Sequence, residues 1–368
     1  MDGASGEVRP VSSPGQEVSG PQFSPNGKWL AFGAGSGRLF IADADGASPR
    51  AVPGSSGGSW LPDDDLFTNG WLWAVSPDGV AAPPGPPSTD LAAWSPNGAQ
   101  FAFVEDTMDV HPPRSSRGVE RLEVSSSPSG PVQTWWEAPV SFDSANGMRG
   151  PFIARVIVLP DDEGLLYWVD PDAADGLELY LLRGPGEAPR PLGTTLLASG
   201  SVAIGPPGSF SIVTGHNRYA WMDKTLEDCA VATARCLPVP AAKGVLTLGP
   251  AWSPNGTLAF VKAPASSATN FYQATVTSWY AEHALWTMAP GQTRGTEVAG
   301  AGGATSPEWS ANGKSLLFVS GDALWLLPSL GATPQKVAGP LFPANAWPTY
   351  YGEVGWQGQF AWSSLAPS

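Results

Sequence analysis

A chain of 368 residues with 42% hydrophobic content can bury a sizeable core, and its net charge of −14 leaves no basic face for nucleic acid or an anionic membrane. Charged residues make up only 14%, while Gly (44), Pro (39) and Trp (17) are abundant, a balance that favours many short strands joined by turns. No apolar run approaches the roughly 20 residues that span a bilayer.

Taken in chain order, "EVRPVSSPGQEVSG" (7–20) reads as an outer strand that leads into a first hairpin. The hairpin itself, "QFSPNGKWLAFG" (22–33), has near copies in "AWSPNGAQFAFV" (93–104), "AWSPNGTLAFV" (251–261) and "EWSANGKSLLFV" (308–319). In each copy a short apolar strand ends at an aromatic, four turn residues follow, and a second apolar strand begins. Asn-Gly is the expected central pair of a tight hairpin, because both residues tolerate φ > 0. The stretches 37–54 and 321–339 then add a third strand, a turn of small residues and a fourth strand. Weaker copies lie at 58–85, 154–193 and 200–224.

The turns align at Pro25, Pro62, Pro96, Pro160, Pro206, Pro254 and Ala311, a spacing that suits propeller blades of roughly 40–50 residues with insertions. The tail "GEVGWQGQFAWSS" (352–364) reads as the opening strands of another blade. The expectation is one all-β domain over 1–368, a β-propeller of four-stranded antiparallel blades. Residues 1–20 supply a head strand, 21–339 hold seven repeat units, and 340–368 start a closing blade shared by the two termini. That makes eight blades, or seven if 58–85 is a loop excursion.

The pattern resembles the TolB-like family of WD-type propeller repeats, whose hallmark is W-S-P-D/N-G before a hydrophobic strand. The match is specific at Phe23–Gly27, Trp94–Gly98, Trp252–Gly256 and Trp309–Gly313. The resemblance implies a propeller, commonly in the bacterial envelope, that binds other proteins. It implies no activity, since one fold hosts many functions.

The chemistry-bearing residues are sparse. Gly54–Gly58 matches G-x-S-x-G, but no helical stretch follows to expose a strained serine, so it reads as a linker. None of His111, His216 and His283 sits within four residues of another His, a Cys or an H-E-x-x-H-type partner, and they read as surface or loop residues, with His111 singled out by its insertion at 105–118. The acidic runs 62–65, 160–163 and 170–176 read first as turn chemistry and second as a calcium site; no other cofactor is expected. Cys229 and Cys236, with six residues between them in a hairpin-like stretch, read as a disulfide and point to an oxidising compartment. Trp94, Trp252 and Trp309 sit at the repeat position and should pack between blades. Trp135, Trp136, Trp279 and Trp347 break that register, and with Tyr280 and His111 they are the candidate partner contacts, expected in exposed loops at 131–152, 263–283 and 340–350.

The sequence therefore suggests a monomeric, non-enzymatic interaction platform for a protein partner, in the periplasm or outside the cell. "MDGASGEVRP" has no export signal, so that location expects one upstream of Met1; the cytoplasm is the alternative. The rival readings are a propeller enzyme with a metal or carboxylate site in its channel (lactonase-, lyase- or glycosidase-like) and a sensor or accessory domain of a larger envelope protein.

Overall fold

The computed structural model describes residues 18–35, 38–53, 58–60, 64–68, 71–76, 79–81, 91–106, 115–126, 130–143, 148–150, 152–170, 177–195, 199–269, 273–341, 349–350, 353–354 and 360. His111, Trp347 and most of Gly54–Gly58 lie outside them. The chain is all-β, of the β-propeller class with four-stranded antiparallel blades, and it divides into two compact units, one spanning Pro10–Gly193 and the other Thr194–Ala366.

In the first unit, β1 (Val18–Phe23), β2 (Trp29–Ala34), β3 (Arg38–Asp43) and β4 (Arg50–Ala51) form one sheet. The next holds β5 (Ser59–Trp60), β6 (Asp65–Thr68), β7 (Trp71–Ser76) and β8 (Gly79–Ala81). A five-stranded sheet follows, with β9 (Ala92–Trp94), β10 (Phe101–Asp106), β11 (Ser115–Ser125), β12 (Val132–Asp143) and β13 (Met148–Gly150). The sheet of β14 (Phe152–Val158), β15 (Leu165–Asp170), β16 (Leu177–Leu182) and β17 (Arg190–Thr195) completes the series.

The second unit carries β18 (Val202–Ile204), β19 (Ser209–Thr214), β20 (Thr225–Ala230) and β21 (Arg235–Pro238) in one sheet. Another is built from β22 (Val245–Trp252), β23 (Leu258–Pro264), β24 (Ala284–Met288) and β25 (Thr296–Gly302), with helix α1 (Gln273–Ala281) inserted between its middle strands. The last full sheet is β26 (Ala304–Trp309), β27 (Leu316–Ser320), β28 (Ala323–Leu327) and β29 (Gln335–Ala338), after which β30 (Thr349–Tyr350) and β31 (Glu353–Val354) pair alone.

Among the described residues there are thus six four-stranded blades, where the sequence suggested eight or seven. The miscount has a physical cause. Turn spacing assigns one uniform blade to each turn, but the chain after Pro96 spends its extra length on a fifth strand in the same sheet. In the tail, β31 pairs with β30 next to it, and Val18–Phe23 pairs with β2 as the opening strand of its own sheet.

The repeated turn explains why the sentence recurs. In all four copies the Gly N–H donates to the Ser carbonyl three residues back, at 2.8–2.9 Å. The Ser hydroxyl donates to the Asn side-chain oxygen and accepts the backbone N–H that follows the turn: Trp29, Gln100, Thr257 or Ser315, at 2.8–3.0 Å. Ser24, Ser95, Ser253 and Ser310 are all buried. Only the glycines (Gly27, Gly98, Gly256 and Gly313) adopt positive φ, between 66° and 79°. The expectation of a left-handed Asn-Gly pair is therefore corrected. This is a type I-like turn in which Asn serves as an acceptor and Gly alone takes the left-handed site.

Apolar side chains from consecutive sheets close the core between them. Val213, Leu226 and Val239 meet Leu258 and Phe260, and Ala259, Leu285 and Val298 meet Trp309, Leu316 and Phe318. Three of the tryptophans that precede a turn add a hydrogen bond to the preceding sheet, whereas Trp94 Nε1 has no partner among the described residues. Trp252 Nε1 donates to Ser211 Oγ at 3.0 Å, Trp309 Nε1 to the Ala251 carbonyl at 3.2 Å, and Trp60 Nε1 to the Gln22 carbonyl at 3.0 Å. Cys229 and Cys236 sit opposite each other on β20 and β21 and are disulfide-bonded, with sulfurs 2.00 Å apart. No helix among the described residues is long and apolar enough to cross a membrane.

Candidate functional site

The four described candidates for partner contact do not stand in exposed loops. Trp135 and Trp136 lie on β12, which pairs with β11 along its length. Trp135 is buried in a cluster with Leu122, Val124 and Val156, and Trp136 packs against it, its ring 5.4 Å from Tyr167. Trp279 and Tyr280 lie on α1, 5% and 6% exposed, rather than in a loop at 263–283. The helix forms because Val276, Trp279 and Tyr280 make one apolar face at i, i+3 and i+4, while Thr277, Ser278 and Ala281 face solvent.

Two features emerge from these corrected positions. The first is an arm in the Pro10–Gly193 unit. β11 and β12 pair at eleven positions, but β10 accompanies them only from Glu120 to Ser125. Among the described residues β10 ends at Asp106, and Ser115–Val119 carry the β11–β12 pair on past it, about 17 Å at the usual rise per residue, while β13 pairs with the far end of β12 at Ser141–Asp143. The base of the arm is fixed. Glu120, 2% exposed, accepts the Ile153 N–H at 2.7 Å, and Arg121 lies 3.3 Å from Glu137 and 3.6 Å from Glu105. Burial pushes the Glu123 carboxyl above the usual range, offset in part by the Thr134 hydroxyl at 2.9 Å.

The second feature is a cavity of about 40 Å³ inside the Thr194–Ala366 unit. Antiparallel order places the links into β18 and β26 at the same end of their sheets as the β19–β20 and β23–β24 connections, and these segments converge there. Ser201 and Ser306 come from the strand entries, Val213, Leu248 and Val261 from the strands, and Trp279, Tyr280 and His283 from α1 and its exit. Lys224 also lines the cavity, yet its side chain is 1% exposed and its ammonium donates to the Asn217 and Met222 carbonyls, with Asp223 Oδ1 at 3.3 Å. It ties down the 216–223 loop, where Asp223 accepts the backbone N–H groups of His216 and Asn217.

His283 corrects the surface reading given to the histidines. It is 3% exposed, with its ring 4.3 Å edge-on from Trp279 and 4.6 Å from Tyr280, whereas His216 is exposed. Burial drives its pKa down to about 3, against a weaker opposing effect of the Ala304 backbone. By strict geometry neither ring nitrogen has a hydrogen-bond partner among the described residues, so the hydrogen bond from the ring to the Ala304 backbone is a weak one. At neutral pH His283 is therefore an uncharged donor and acceptor, too weak a base for efficient proton abstraction.

The sequence carried no pointer to this cavity. His283 stands alone in its stretch of chain, and its neighbours arrive from three sheets. The acidic runs fare differently. Asp64 accepts the Asn26 backbone and side-chain N–H groups at 2.9 and 2.6 Å, and Asp161 and Asp162 sit at left-handed turn positions. Among the described residues no three His, Cys, Asp or Glu side chains are grouped to hold a metal.

No family model matches the chain, and no curated protein matches it. Solved structures do. An oligogalacturonate lyase in complex with manganese is 13% identical, with 93% of this chain and 83% of that chain covered and a TM-score of 0.49. TolB from Acinetobacter baumannii is 12% identical, with 88% and 52% covered and a TM-score of 0.32. An acylaminoacyl peptidase from Pyrococcus horikoshii is 9% identical, with 88% and 52% covered and a TM-score of 0.48. At such values no activity carries over from any of them.

Proposed function

We propose that this chain is a non-enzymatic interaction platform: a propeller that binds a protein partner in an oxidising, extracytoplasmic compartment. The observation that carries the reading is the arm of β11, β12 and β13, which continues about 17 Å beyond β10 on a base locked by Trp135, Trp136 and Glu120. An extended strand pair on a fixed base offers a partner its outer side chains, such as the exposed Glu137 and Pro139, without a large ordering cost. The net charge of −14 favours a neutral or basic partner, and the Cys229–Cys236 disulfide supports the compartment.

The test trims the arm and spares the blade. Residues 107–119 are replaced by an Asn-Gly turn and 139–150 by a Gly-Ser linker, and thermal unfolding checks that the blade survives. Both chains are then used to capture proteins from an envelope extract of the source organism. The reading expects a protein retained by the intact chain, released by salt, and lost from the trimmed one. Equal retention by the two chains would overturn it.

A further inference from the structure

The four repeated turns are alike except in one length. In three copies two residues separate the glycine from the first buried residue of the next strand: Lys28-Trp29, Ala99-Gln100 and Lys314-Ser315. In the copy at 251–261 Thr257 stands there alone. The longer copies use both backbone N–H groups. The second donates to the serine hydroxyl, and the first donates to the Asn side-chain oxygen, at 2.8 Å from Lys28 to Asn26 and 3.0 Å from Ala99 to Asn97 and from Lys314 to Asn312.

The short copy has one N–H for two acceptors, and Thr257 gives it to Ser253 Oγ at 2.8 Å. Asn255 Oδ1 is left with the Ser253 hydroxyl alone. Asn26 is the opposite extreme, because its side-chain and backbone N–H groups also donate to Asp64, at 2.6 and 2.9 Å. Exposure does not separate the copies in this way, since Asn97, Asn255 and Asn312 are all exposed. Nor does the Gly N–H, which is bonded to the serine carbonyl in all four. Asn69-Gly70 and Asn146-Gly147 lie outside the described residues and enter no ranking.

The difference bears on a reaction to which Asn-Gly is prone, because glycine has no side chain to hold its nitrogen away from the carboxamide before it. Hydroxide takes the proton from the Gly256 nitrogen, which attacks Asn255 Cγ. The new C–N bond forms, the Cγ–Nδ2 bond breaks, and Nδ2 leaves as ammonia with a proton from water. Water then opens the succinimide at either carbonyl, giving aspartate or isoaspartate. Ring closure requires the carboxamide to turn out of its contacts, so each hydrogen bond to Oδ1 slows it.

We propose that Asn255 is a site of self-modification, the first of these four asparagines to deamidate in the folded chain. The site is independent of the arm and of any partner bound there. Its two products act differently. Aspartate keeps an acceptor for the Ser253 hydroxyl. Isoaspartate adds a backbone carbon to the turn beside Gly313 of the next sheet, where a Cβ would lie 3.4 Å from Asn255 Cγ, and so disturbs the contact between two neighbouring turns.

The experiment holds the full chain in mildly alkaline buffer and follows the four asparagines by peptide mass mapping, with isoaspartate-specific methylation to separate the products. A second sample is held in urea. The inference expects Asn255 to react about fivefold faster than Asn97 and Asn312 in the folded chain, the ratio that one net hydrogen bond is worth, with Asn26 slowest. In urea the four rates should converge. Inserting one alanine after Gly256 restores the missing N–H and should bring Asn255 down to the rate of Asn97, with thermal unfolding to check the fold. An unreactive Asn255 in the folded chain, or a rate no faster than those of Asn97 and Asn312, overturns the proposal. So does an Asn255 lead that persists in urea, which would belong to the local sequence and not to the turn. These outcomes are read on the unmodified chain, so they stand even if the inserted variant fails to fold.

Discussion

The Ser253–Gly256 turn and the His283 cavity are made from similar materials, hydroxyls, a polar side chain and aromatic neighbours, yet they are finished in opposite ways. In the turn the buried serine is fully engaged: Ser253 Oγ donates to Asn255 and accepts from Thr257, its carbonyl accepts from Gly256, and its N–H donates to the Thr257 carbonyl. In the cavity a 3%-exposed imidazole has no partner of acceptable geometry among the described residues. The turn is written four times, and none of its copies lines the cavity. A self-satisfied unit stabilises whatever sheet it joins, whereas an unsatisfied one is a standing cost that a stabilising copy would not carry.

The largest expected effect tests whether the aromatic wall of the cavity is core. Trp279→Ala should cost about 3–5 kcal/mol in urea unfolding, as for a buried aromatic. A loss under about 1 kcal/mol would restore the exposed anchor that its off-register position suggested. Next comes the contrast itself. Ser253→Ala leaves the Thr257 N–H and the Asn255 oxygen without their partner and should cost about 1–3 kcal/mol. His283→Phe removes two unpaired groups at similar shape, and stability should stay within about 1 kcal/mol. Equal losses in the two variants would mean that His283 is as fully satisfied as the turn.

The pH dependence sharpens the same point. With a folded pKa of about 3 against an ordinary 6.5, His283 takes up a proton more readily in the unfolded chain. Its contribution to stability is constant above about pH 6.5 and falls as the pH drops towards 3, by up to about 1.4 kcal/mol per unit. Denaturation midpoints between pH 4 and 8 should show a slope in the native chain that His283→Phe reduces. The smallest effect is at the sheet-to-sheet staple. Trp309→Phe keeps the ring but loses the bond to the Ala251 carbonyl, about 1 kcal/mol by the same measurement.

Legibility in the sequence follows the same divide. The hairpins were readable because Ser-Pro-Asn-Gly and its variants carry all their information within about six residues, and Trp252 and Trp309 announced their role by recurring. The blade count was not readable, because turn spacing does not say how many strands lie between two turns, and β13 joined a sheet already complete. α1 escaped notice for want of length: nine residues with Thr and Ser on one side look like any polar loop. His283 escaped because burial is a property of the three sheets that converge on it, and its own neighbours, Glu282 and Ala284, say nothing of them.

The staples have a direction. Trp60 reaches back to Gln22, Trp252 to Ser211 and Trp309 to Ala251, each towards chain that leaves the ribosome earlier. For these three sheets the docking carbonyl or hydroxyl is already in place when the tryptophan is made, and the Ser253–Gly256 turn closes on its own residues, whereas the first turn waits for Asp64, which accepts from Asn26. At these three staples the order of docking can therefore follow the order of synthesis, each new sheet closing on the one before it.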